Sequence, residues 1–169
     1  MQTSAHKHRH LQWHRGLWVA LVFLSACGFQ LQGRQALPAA LATVNIDAKD
    51  RQSGFTQALR SALASSGAQL VEPAAADTTI VSIKRDEVTE RVLTVSSRNI
   101  PTDYELVYDV ELSVSSAGKE LLPAEKFSLS RVYSFDETRL LAKEREKQIL
   151  IEALARDMAS IVARRLSSL

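Results

Sequence analysis

The sequence predicts an α+β fold, a two-layer sandwich in which two helices pack on one face of a four-stranded mixed sheet. Alternating apolar and polar residues from Tyr104 to Val114 indicate a strand with one face in the core. Two amphipathic helical patterns, over 54–66 and after Asp136, frame the strand-rich region. Helices lying side by side on the apolar face of the sheet would bury all of these apolar surfaces.

The first strand and the first helix are predicted from local signals. Thr43–Asp47 alternates with β-branched residues, which is typical of a short strand. Ser53 is a suitable N-cap for a helix whose apolar stripe runs from Phe55 to Leu63. Gly67 follows that stripe and predicts the end of the helix.

The second strand is predicted to be long and partly exposed. Its β-character runs from Thr79 to Val95, and charged residues of both signs interrupt it at 84–91. Such a strand must have one face in water, and the charged run predicts a break or a bulge. The preceding segment through Leu70 and Val71 is predicted to be a connector. Strand, helix and strand together predict a parallel, right-handed crossover.

The third and fourth strands are predicted to be antiparallel, after a turn at 97–103. The strand Tyr104–Val114 is expected to direct four apolar residues to the helices: Leu106, Tyr108, Val110 and Leu112. A connection over 115–123 leads to the final strand, Phe127–Phe135. Arg131 interrupts the apolar face of that strand and indicates a sheet edge.

Asp136 is the predicted N-cap of the last helix. The C-terminal half of this helix has an apolar stripe, within which Leu154 and Met158 are expected to contact the third strand. The first turns, from Arg139 to Lys147, are almost wholly polar. They predict a solvated face stabilised by Glu–Lys and Glu–Arg pairs at helical spacing.

The N-terminal segment has the three parts of a secretory signal. A basic region precedes an apolar run, Leu17–Leu24, which is shorter than the about 20 residues that a bilayer span needs. The run ends in Leu24-Ser25-Ala26-Cys27, which has the pattern of a bacterial lipobox. The sequence therefore predicts an anchored protein and not a secreted one.

Cys27 is the only cysteine of the chain, and the lipobox assigns to it a covalent diacylglycerol and an N-acyl chain. Such chains hold a protein on a membrane by about 0.8 kcal/mol per buried methylene. Gly28, where an aspartate would indicate the inner membrane, favours the outer membrane. The predicted organisation is a signal peptide at 1–26, a lipidated tether at 27–40 and one domain at 41–169.

Composition favours a binding or assembly protein over an enzyme. The chain has 21 Lys and Arg against 19 Asp and Glu, but three of the basic residues and none of the acidic ones lie in 1–26, which leaves 18 against 19 after processing. A mature chain of net charge −1 gives no reason to expect nucleic-acid binding. All four histidines also precede Cys27. The mature chain therefore lacks a His general base, a Cys nucleophile, the usual zinc ligands and any predicted cofactor beyond the lipid.

Several features follow one another in an order that resembles the LptE family of lipopolysaccharide-assembly lipoproteins. The lipobox is followed by Gly-Phe-x-Leu-x-Gly at 28–33 and then by the predicted order of strands and helices. Arg98-Asn99 precedes Asp103-Tyr104-Glu105-Leu106. Arg131-Val132-Tyr133-Ser134-Phe135-Asp136 leads to Leu141-Ala142-Lys143-Glu144. The resemblance spans the mature chain.

This resemblance implies a lipid-anchored, periplasm-facing protein of the outer membrane. Its domain would lie as a plug in the lumen of the large β-barrel LptD. A plug of this kind supports barrel assembly and binds lipopolysaccharide on its way to the outer leaflet. The resemblance also implies lipopolysaccharide-binding roles for Arg98, in the turn after the second strand, and for Lys143, early in the last helix. The turn departs from the family pattern, because Ile100-Pro101 replaces a glycine-containing sequence. Guanidinium and ammonium groups suit the phosphates and carboxylates of lipopolysaccharide.

Chain reversals on both sides of the third and fourth strands predict that Arg98 and Lys143 lie at the same end of the domain. One alternative function is a lipid-anchored periplasmic carrier that binds a glycolipid or glycan in its own cleft, for which a deep apolar cavity is needed. A lipid-anchored hydrolase is a second alternative, which the missing histidine and thiol disfavour. The mixed charges of the second and third strands favour the plug.

Overall fold

The computed structural model describes residues 37–75 and 77–169, and its elements follow the predicted order with one additional short strand. The strands are β1 (Thr43–Ala48), β2 (Gln69–Leu70), β3 (Thr79–Val95), β4 (Pro101–Ser116) and β5 (Lys119–Ser134). The helices are α1 (Gly54–Ser65) and α2 (Leu140–Leu166), with 3-10 turns at Ala39–Leu41 and Glu137–Arg139. Within these described ranges, no helix is both long enough and apolar enough to cross a membrane.

The sheet has five strands in the order β2-β1-β3-β4-β5, so the prediction of four strands is wrong by one. The additional strand, β2, consists of Gln69 and Leu70, which pair in parallel with Thr43 and Val44. Two residues are too few to show an alternation, and the strand is therefore recognisable only through its pairing. The remaining arrangement is as predicted, with β1 parallel to β3 and with β3, β4 and β5 antiparallel.

Local capping fixes the ends of the helices. The Ser53 hydroxyl oxygen accepts a hydrogen bond from the Thr56 N–H at 3.1 Å, as expected of the N-cap of α1. Gly67 follows α1 with a φ of +99°, a conformation that side-chain-bearing residues rarely adopt. Asp136, the predicted N-cap of the last helix, accepts from the Thr138 N–H at 3.0 Å and caps the preceding 3-10 turn, whereas the N-cap of α2 itself is Arg139, which makes no side-chain capping hydrogen bond.

The hydrophobic core lies between the helices and one face of the sheet. The four predicted residues of β4 (Leu106, Tyr108, Val110 and Leu112) are buried there, as are Leu154 and Met158 of α2. Phe55, Leu59 and Leu63 of α1 complete the layer. Burial of each such side chain stabilises the fold by about 1.5–3 kcal/mol. The two-layer packing that the alternation predicts is therefore confirmed.

Within the charged segment of β3, the residues that face the helices change from odd-numbered to even-numbered positions. The β3–β4 register shifts between Ile83 and Arg85, which leaves Lys84 as an extra residue in a β-bulge. Ile83 faces the helices before the bulge, and the even-numbered residues that begin with Asp86 do so after it. Because side chains alternate with a period of two, one inserted residue moves each following side chain to the opposite face. The bulge thus places carboxylates on the helix side of the sheet.

Candidate functional site

Three strands continue past the end of β1 and form the part of the sheet in which the predicted site residues lie. β1 pairs with β3 only as far as Ile83, whereas β3 pairs with β4 as far as Val95. We call residues 84–110, 127–135 and 139–150 the distal region. It contains the remainder of β3, the following turn with most of β4, the second half of β5 and the start of α2.

Asp86 connects the distal region to α1. Its carboxylate accepts hydrogen bonds from the Tyr108 hydroxyl at 2.7 Å and from the hydroxyl of Ser53, the N-cap of α1. Burial and the neighbouring Asp86 raise the pKa of Tyr108. The Tyr108 phenol therefore remains protonated and donates its hydrogen bond. The Asp86 carboxylate thus links β4 to the N-terminus of α1.

Glu90 makes the corresponding connection to α2. It accepts hydrogen bonds from the Tyr133 hydroxyl and, at 3.4 Å, from Lys147 Nζ. Burial raises the pKa of Tyr133, and the nearby Glu90 adds to the effect. Burial disfavours the charged form of Lys147, but Glu90 and Glu144 outweigh it and raise the pKa of this lysine. At this end of the sheet, polar pairs therefore lie beside buried core residues such as Leu106.

An aromatic cluster lies beside these groups. The Tyr104 and Tyr133 rings stack with their centroids 5.8 Å apart, and Phe135 meets Tyr104 edge-on at 5.4 Å. Tyr104 and Tyr133 are direct cross-strand neighbours of β4 and β5, and Val92 of β3 lies on the other side of Tyr104. The cluster supports the sheet next to the turn that carries Arg98.

The turn between β3 and β4 holds Arg98 in solvent. The Ser96 N–H donates to the Ile100 carbonyl at 2.8 Å, and Asn99 adopts a φ of +59°. Arg98 is exposed, and its guanidinium forms no ion pair with a described residue. It is therefore free to bind an external anion.

The first half of α2 has the predicted Glu–Lys pairs at helical spacing, Lys143 with Glu146 and Lys147 with Glu144, but its two lysines are half-buried and not fully solvated. Lys143 is only 16 % exposed and donates to Glu146 at 2.8 Å. By contrast, Leu141 is 81 % and Ile149 63 % exposed. Arg145, four residues from each, is exposed and has no ion pair with a described residue. Two lysines therefore point towards the protein while aliphatic side chains point away from it.

Exposed aliphatic side chains are concentrated in the distal region. Apart from Leu169, the large exposed hydrophobic residues of the described chain all lie here: Val88, Val92, Leu93, Val95, Val132, Leu140, Leu141 and Ile149. Scattered single exposures are ordinary, but a concentration of this kind marks an interaction surface. Helical-wheel analysis of α2 would have placed Leu141, Arg145 and Ile149 on one face, although it could not show that this face is exposed.

The outer face of the distal sheet is polar and carries both signs of charge. The Arg91 guanidinium contacts the Glu105 carboxylate at 2.6 Å. Hydrogen bonds from Ser130 and Arg91 lower the pKa of Glu105. The outer face of the distal region is thus exposed and mainly polar, whereas the helix side is only partly covered and leaves Val88 and Val92 exposed.

The structure places both predicted binding residues at the same end of the sheet. Asp103 of β4 lies opposite Ser134, and the Phe135 N–H donates to the Thr102 carbonyl at 2.7 Å. The Arg98 turn and the start of α2 consequently adjoin neighbouring strand ends. Lys143 differs from Arg98 in that it already has a partner.

Cys27 lies outside the described residues. Among residues 37–75 and 77–169, no group of three or more His, Cys, Asp and Glu side chains is placed to hold a metal ion. A carrier would need an enclosed apolar cavity, but the space between helices and sheet is filled by core side chains. A surface groove of about 370 Å³ between β5 and α2 includes Arg131, Asp157 and Arg164 in its lining.

Comparisons with known proteins agree with this architecture. A lipoprotein of Pectobacterium atrosepticum, named LPS-assembly lipoprotein LptE, is 24% identical over 94% of this chain and 86% of its own length. A Yersinia enterocolitica protein of the same name is 25% identical over 95% of this chain and 76% of its own length. The crystal structure of rare lipoprotein B from Shewanella oneidensis has a TM-score of 0.67 with 25% identity, and the match covers 75% of this chain and 94% of that one.

The family described as "LptE: Lipopolysaccharide-assembly" matches residues 41–166, which include each described helix and strand. The name describes assembly and not catalysis, in agreement with the prediction from composition. The chain belongs to the LptE family of lipopolysaccharide-assembly lipoproteins.

Proposed function

We propose that this protein is an outer-membrane lipoprotein that plugs an LptD β-barrel, assists its assembly and binds lipopolysaccharide during export to the outer leaflet. Family membership and the names of the two relatives support the role in lipopolysaccharide assembly. The observation that carries the binding role is the distal region, where free cations adjoin exposed aliphatic side chains. Lipopolysaccharide offers the complementary groups, since its lipid A has both phosphates and acyl chains.

The charged part of the proposed site consists of Arg98 and Lys143. Arg98 needs no rearrangement to bind a phosphate, whereas Lys143 must exchange Glu146 for the ligand. Arg145 adds a further exposed cation between Leu141 and Ile149. Each hydrogen bond to a charged partner contributes about 1.5–3 kcal/mol. The site would bind a multiply anionic amphiphile through several such contacts.

Direct binding of purified lipopolysaccharide tests this role. The double variant Arg98→Asp with Lys143→Asp should weaken binding by about tenfold or more. A tenfold change in affinity corresponds to about 1.4 kcal/mol, which is less than the two lost contacts contribute together. Binding by the parent should also fall with added salt, because exposed charges are screened. Lys49→Asp with Lys119→Asp is the matched control, since both lysines are exposed outside the distal region and the charge change is equal. Equal binding by the site variant and the control would refute the assignment.

The proposed anchor is tested separately. Intact mass should show a mature N-terminus at Cys27 that carries acyl chains. Cys27→Ala should release the protein from the membrane without lowering its melting temperature, since the lipidated residue precedes the described core, which begins at Leu37. A mature product that begins at another residue would contradict the lipobox assignment.

The proposed barrel partner is tested by affinity purification from outer membranes. A large β-barrel identified as LptD by mass spectrometry should co-elute with the wild-type lipoprotein and with the double variant. Co-elution of the double variant would separate the plug role from lipopolysaccharide binding. Failure of the wild-type protein to retain the barrel would overturn the plug role.

A further inference from the structure

The distal region has two free strand edges, and they are protected very differently. Beyond β1, β3 has no second neighbour, and among the described strands none pairs with the outer edge of β5. The β3 edge carries charged side chains at six positions: Lys84, Arg85, Asp86, Glu87, Glu90 and Arg91. Charges of this kind prevent a free edge from pairing with another chain. The β3 edge is therefore guarded.

The β5 edge is guarded only in its first half. Pro123, Lys126 and an irregular register with β4 lie between Lys119 and Lys126. From Phe127 to Ser134 the register is regular, there is no proline, and Arg131 is the one charged residue. Apart from Arg131, whose charge is paired with Asp157 of α2, this half of β5 lacks the features that normally block strand addition.

The direction of the free hydrogen-bonding groups follows from the register. The bond from the Phe135 N–H to the Thr102 carbonyl continues the regular β4–β5 pairing. In an antiparallel pair, the N–H and C=O groups of alternate residues point at the partner strand. The odd-numbered residues 127–135 therefore bond β4. The N–H and C=O groups of Ser128, Ser130 and Val132 point outwards, and these residues are exposed.

A groove lies on the helix side of this unguarded edge. Its volume is about 370 Å³, and Leu129, Leu154 and Ile161 supply its apolar lining. Arg131 is paired with Asp157 at 2.8 Å, whereas the Arg164 guanidinium has no ion pair with a described residue. The groove thus combines an apolar floor with one uncompensated positive charge, next to a row of free backbone donors and acceptors.

We infer that β5, between Phe127 and Ser134, accepts an extended segment of the barrel partner as a sixth strand. Backbone hydrogen bonds at Ser128, Ser130 and Val132 would hold that segment. An apolar side chain of the segment would enter the groove, and a neighbouring acidic side chain would pair with Arg164. The inference rests on the proposed plug function, because it assigns the segment to the barrel.

A photo-crosslinking amino acid at Ser160, which lines the groove, tests the inference in the full-length lipoprotein in outer membranes. The expected adduct joins Ser160 to one segment of the barrel, identified by mass spectrometry. Ser130→Pro removes an outward N–H and should lower the yield of this adduct by about fivefold, the effect of one hydrogen bond. Ser130→Ala is the control, because it removes the hydroxyl near Glu105 but keeps the N–H. Arg164→Glu should lower the yield without any change to the strand.

The outcomes separate the two proposals. A barrel that co-purifies but gives no Ser160 adduct, or an adduct insensitive to Ser130→Pro and Arg164→Glu, would overturn strand addition and leave the plug role intact. An adduct between two copies of the lipoprotein would also overturn it. If no barrel co-purifies, the plug role fails and the inference fails with it. Because proline could unfold an edge, the melting temperature of each variant is measured, and Arg164→Glu provides a test that does not alter the backbone.

Discussion

The two ends of the sheet are stabilised by different interactions. In the core region, which comprises β1, β2, α1, residues 79–83 and 111–116 of the sheet and 151–166 of α2, the helix side is filled by apolar side chains. In the distal region the same face carries Asp86 and Glu90, paired to tyrosines and lysine, and leaves aliphatic residues in water. Leu112 is fully buried, whereas Val92 is 48 % exposed. The exposed aliphatic surface is thus concentrated at one end of the sheet, although Leu106 and Val110 at that end still belong to the buried core.

This separation has a physical reason. A patch that binds an amphiphile or a partner strand must be accessible, and accessible aliphatic groups contribute little to folding. The core region, together with the buried residues of β4, can supply the stability that the exposed aliphatic residues do not provide. Substitutions in the two regions should therefore have different consequences, and the comparison can be tested by matched pairs.

The largest difference is expected for truncation of buried and exposed aliphatic residues. Leu112→Ala and Leu154→Ala should each lower the free energy of unfolding by about 2–5 kcal/mol, because each leaves a cavity in a packed core. Val92→Ala should cost about 0.5 kcal/mol or less, as surface substitutions usually do. Urea unfolding followed by circular dichroism measures all three. Equal costs for Leu112→Ala and Val92→Ala would show that the distal region also carries the fold.

A smaller difference is expected for the two tyrosine–carboxylate pairs. Tyr108→Phe should cost about 1.5–3 kcal/mol, the range for a hydrogen bond to a charged group in a partly buried site. Tyr133→Phe should cost about 1 kcal/mol or less, because Glu90 is more exposed and keeps Lys147. Thermal unfolding of the two variants measures the order. A larger cost for Tyr133→Phe would show that the pair beside α2 stabilises the fold more than the pair beside α1, and would contradict this order.

The sequence predicts most of the fold because its main signals are periodic. The alternation of β4 is visible from Tyr104 to Val114, and the stripe of α1 from Phe55 to Leu63, so the sequence alone locates both elements. It does not locate the beginning of β5, because Pro123 and Glu125 break the alternation and only the pairing with β4 reveals a strand from Lys119. β2 has only two residues and is likewise visible only through its pairing.

The candidate site is less predictable because it depends on orientation. The polar residues from Arg139 to Lys147 predict a solvated charged face. However, the apolar stripe in the C-terminal half of α2 determines how the whole helix is rotated about its axis. With this rotation, Lys143 and Lys147 lie on the side towards the sheet, and Leu141 and Ile149 lie on the side away from it. The bulge at Lys84 likewise decides which face carries Asp86 and Glu90. A local sequence pattern does not predict the rotation of α2 or the position of the bulge, since both follow from packing between distant segments.

The turns at the two ends of β4 offer a further comparison. Gly118 has a φ of +77°, and a methyl group added there would meet open space, so Gly118→Ala should cost about 1–2 kcal/mol through backbone strain alone. Asn99→Gly, at φ +59° in the distal turn, should change stability by a few tenths of a kcal/mol at most, because glycine adopts positive φ readily. Melting temperatures of the two variants test this. A marked loss with Asn99→Gly would show that the Asn99 side chain stabilises the Arg98 turn.

The smallest expected effect is a local response of the distal region to acid. Hydrogen bonds from Ser130 and Arg91 lower the pKa of Glu105 below 4.5, and hydrogen bonds from Thr94 and Ser134 lower that of Asp103 below 3.8. A carboxyl group whose pKa is lower in the folded state stabilises that state above its unfolded pKa, and this stabilisation is lost as the pH falls through the folded pKa.

The stabilisation should therefore be complete near neutral pH and should decrease below about pH 4.5, with no loss on the alkaline side. Hydrogen exchange measured at about pH 6 and about pH 3, and corrected for intrinsic rates, should show faster opening around Glu105 and Asp103 at the lower pH, with little change in β1. Glu105→Gln removes one titrating group and should reduce this difference. If the acid-induced opening is equally large in β1, or if Glu105→Gln leaves it unchanged, acid acts on the whole fold and the two regions are not separate in this respect.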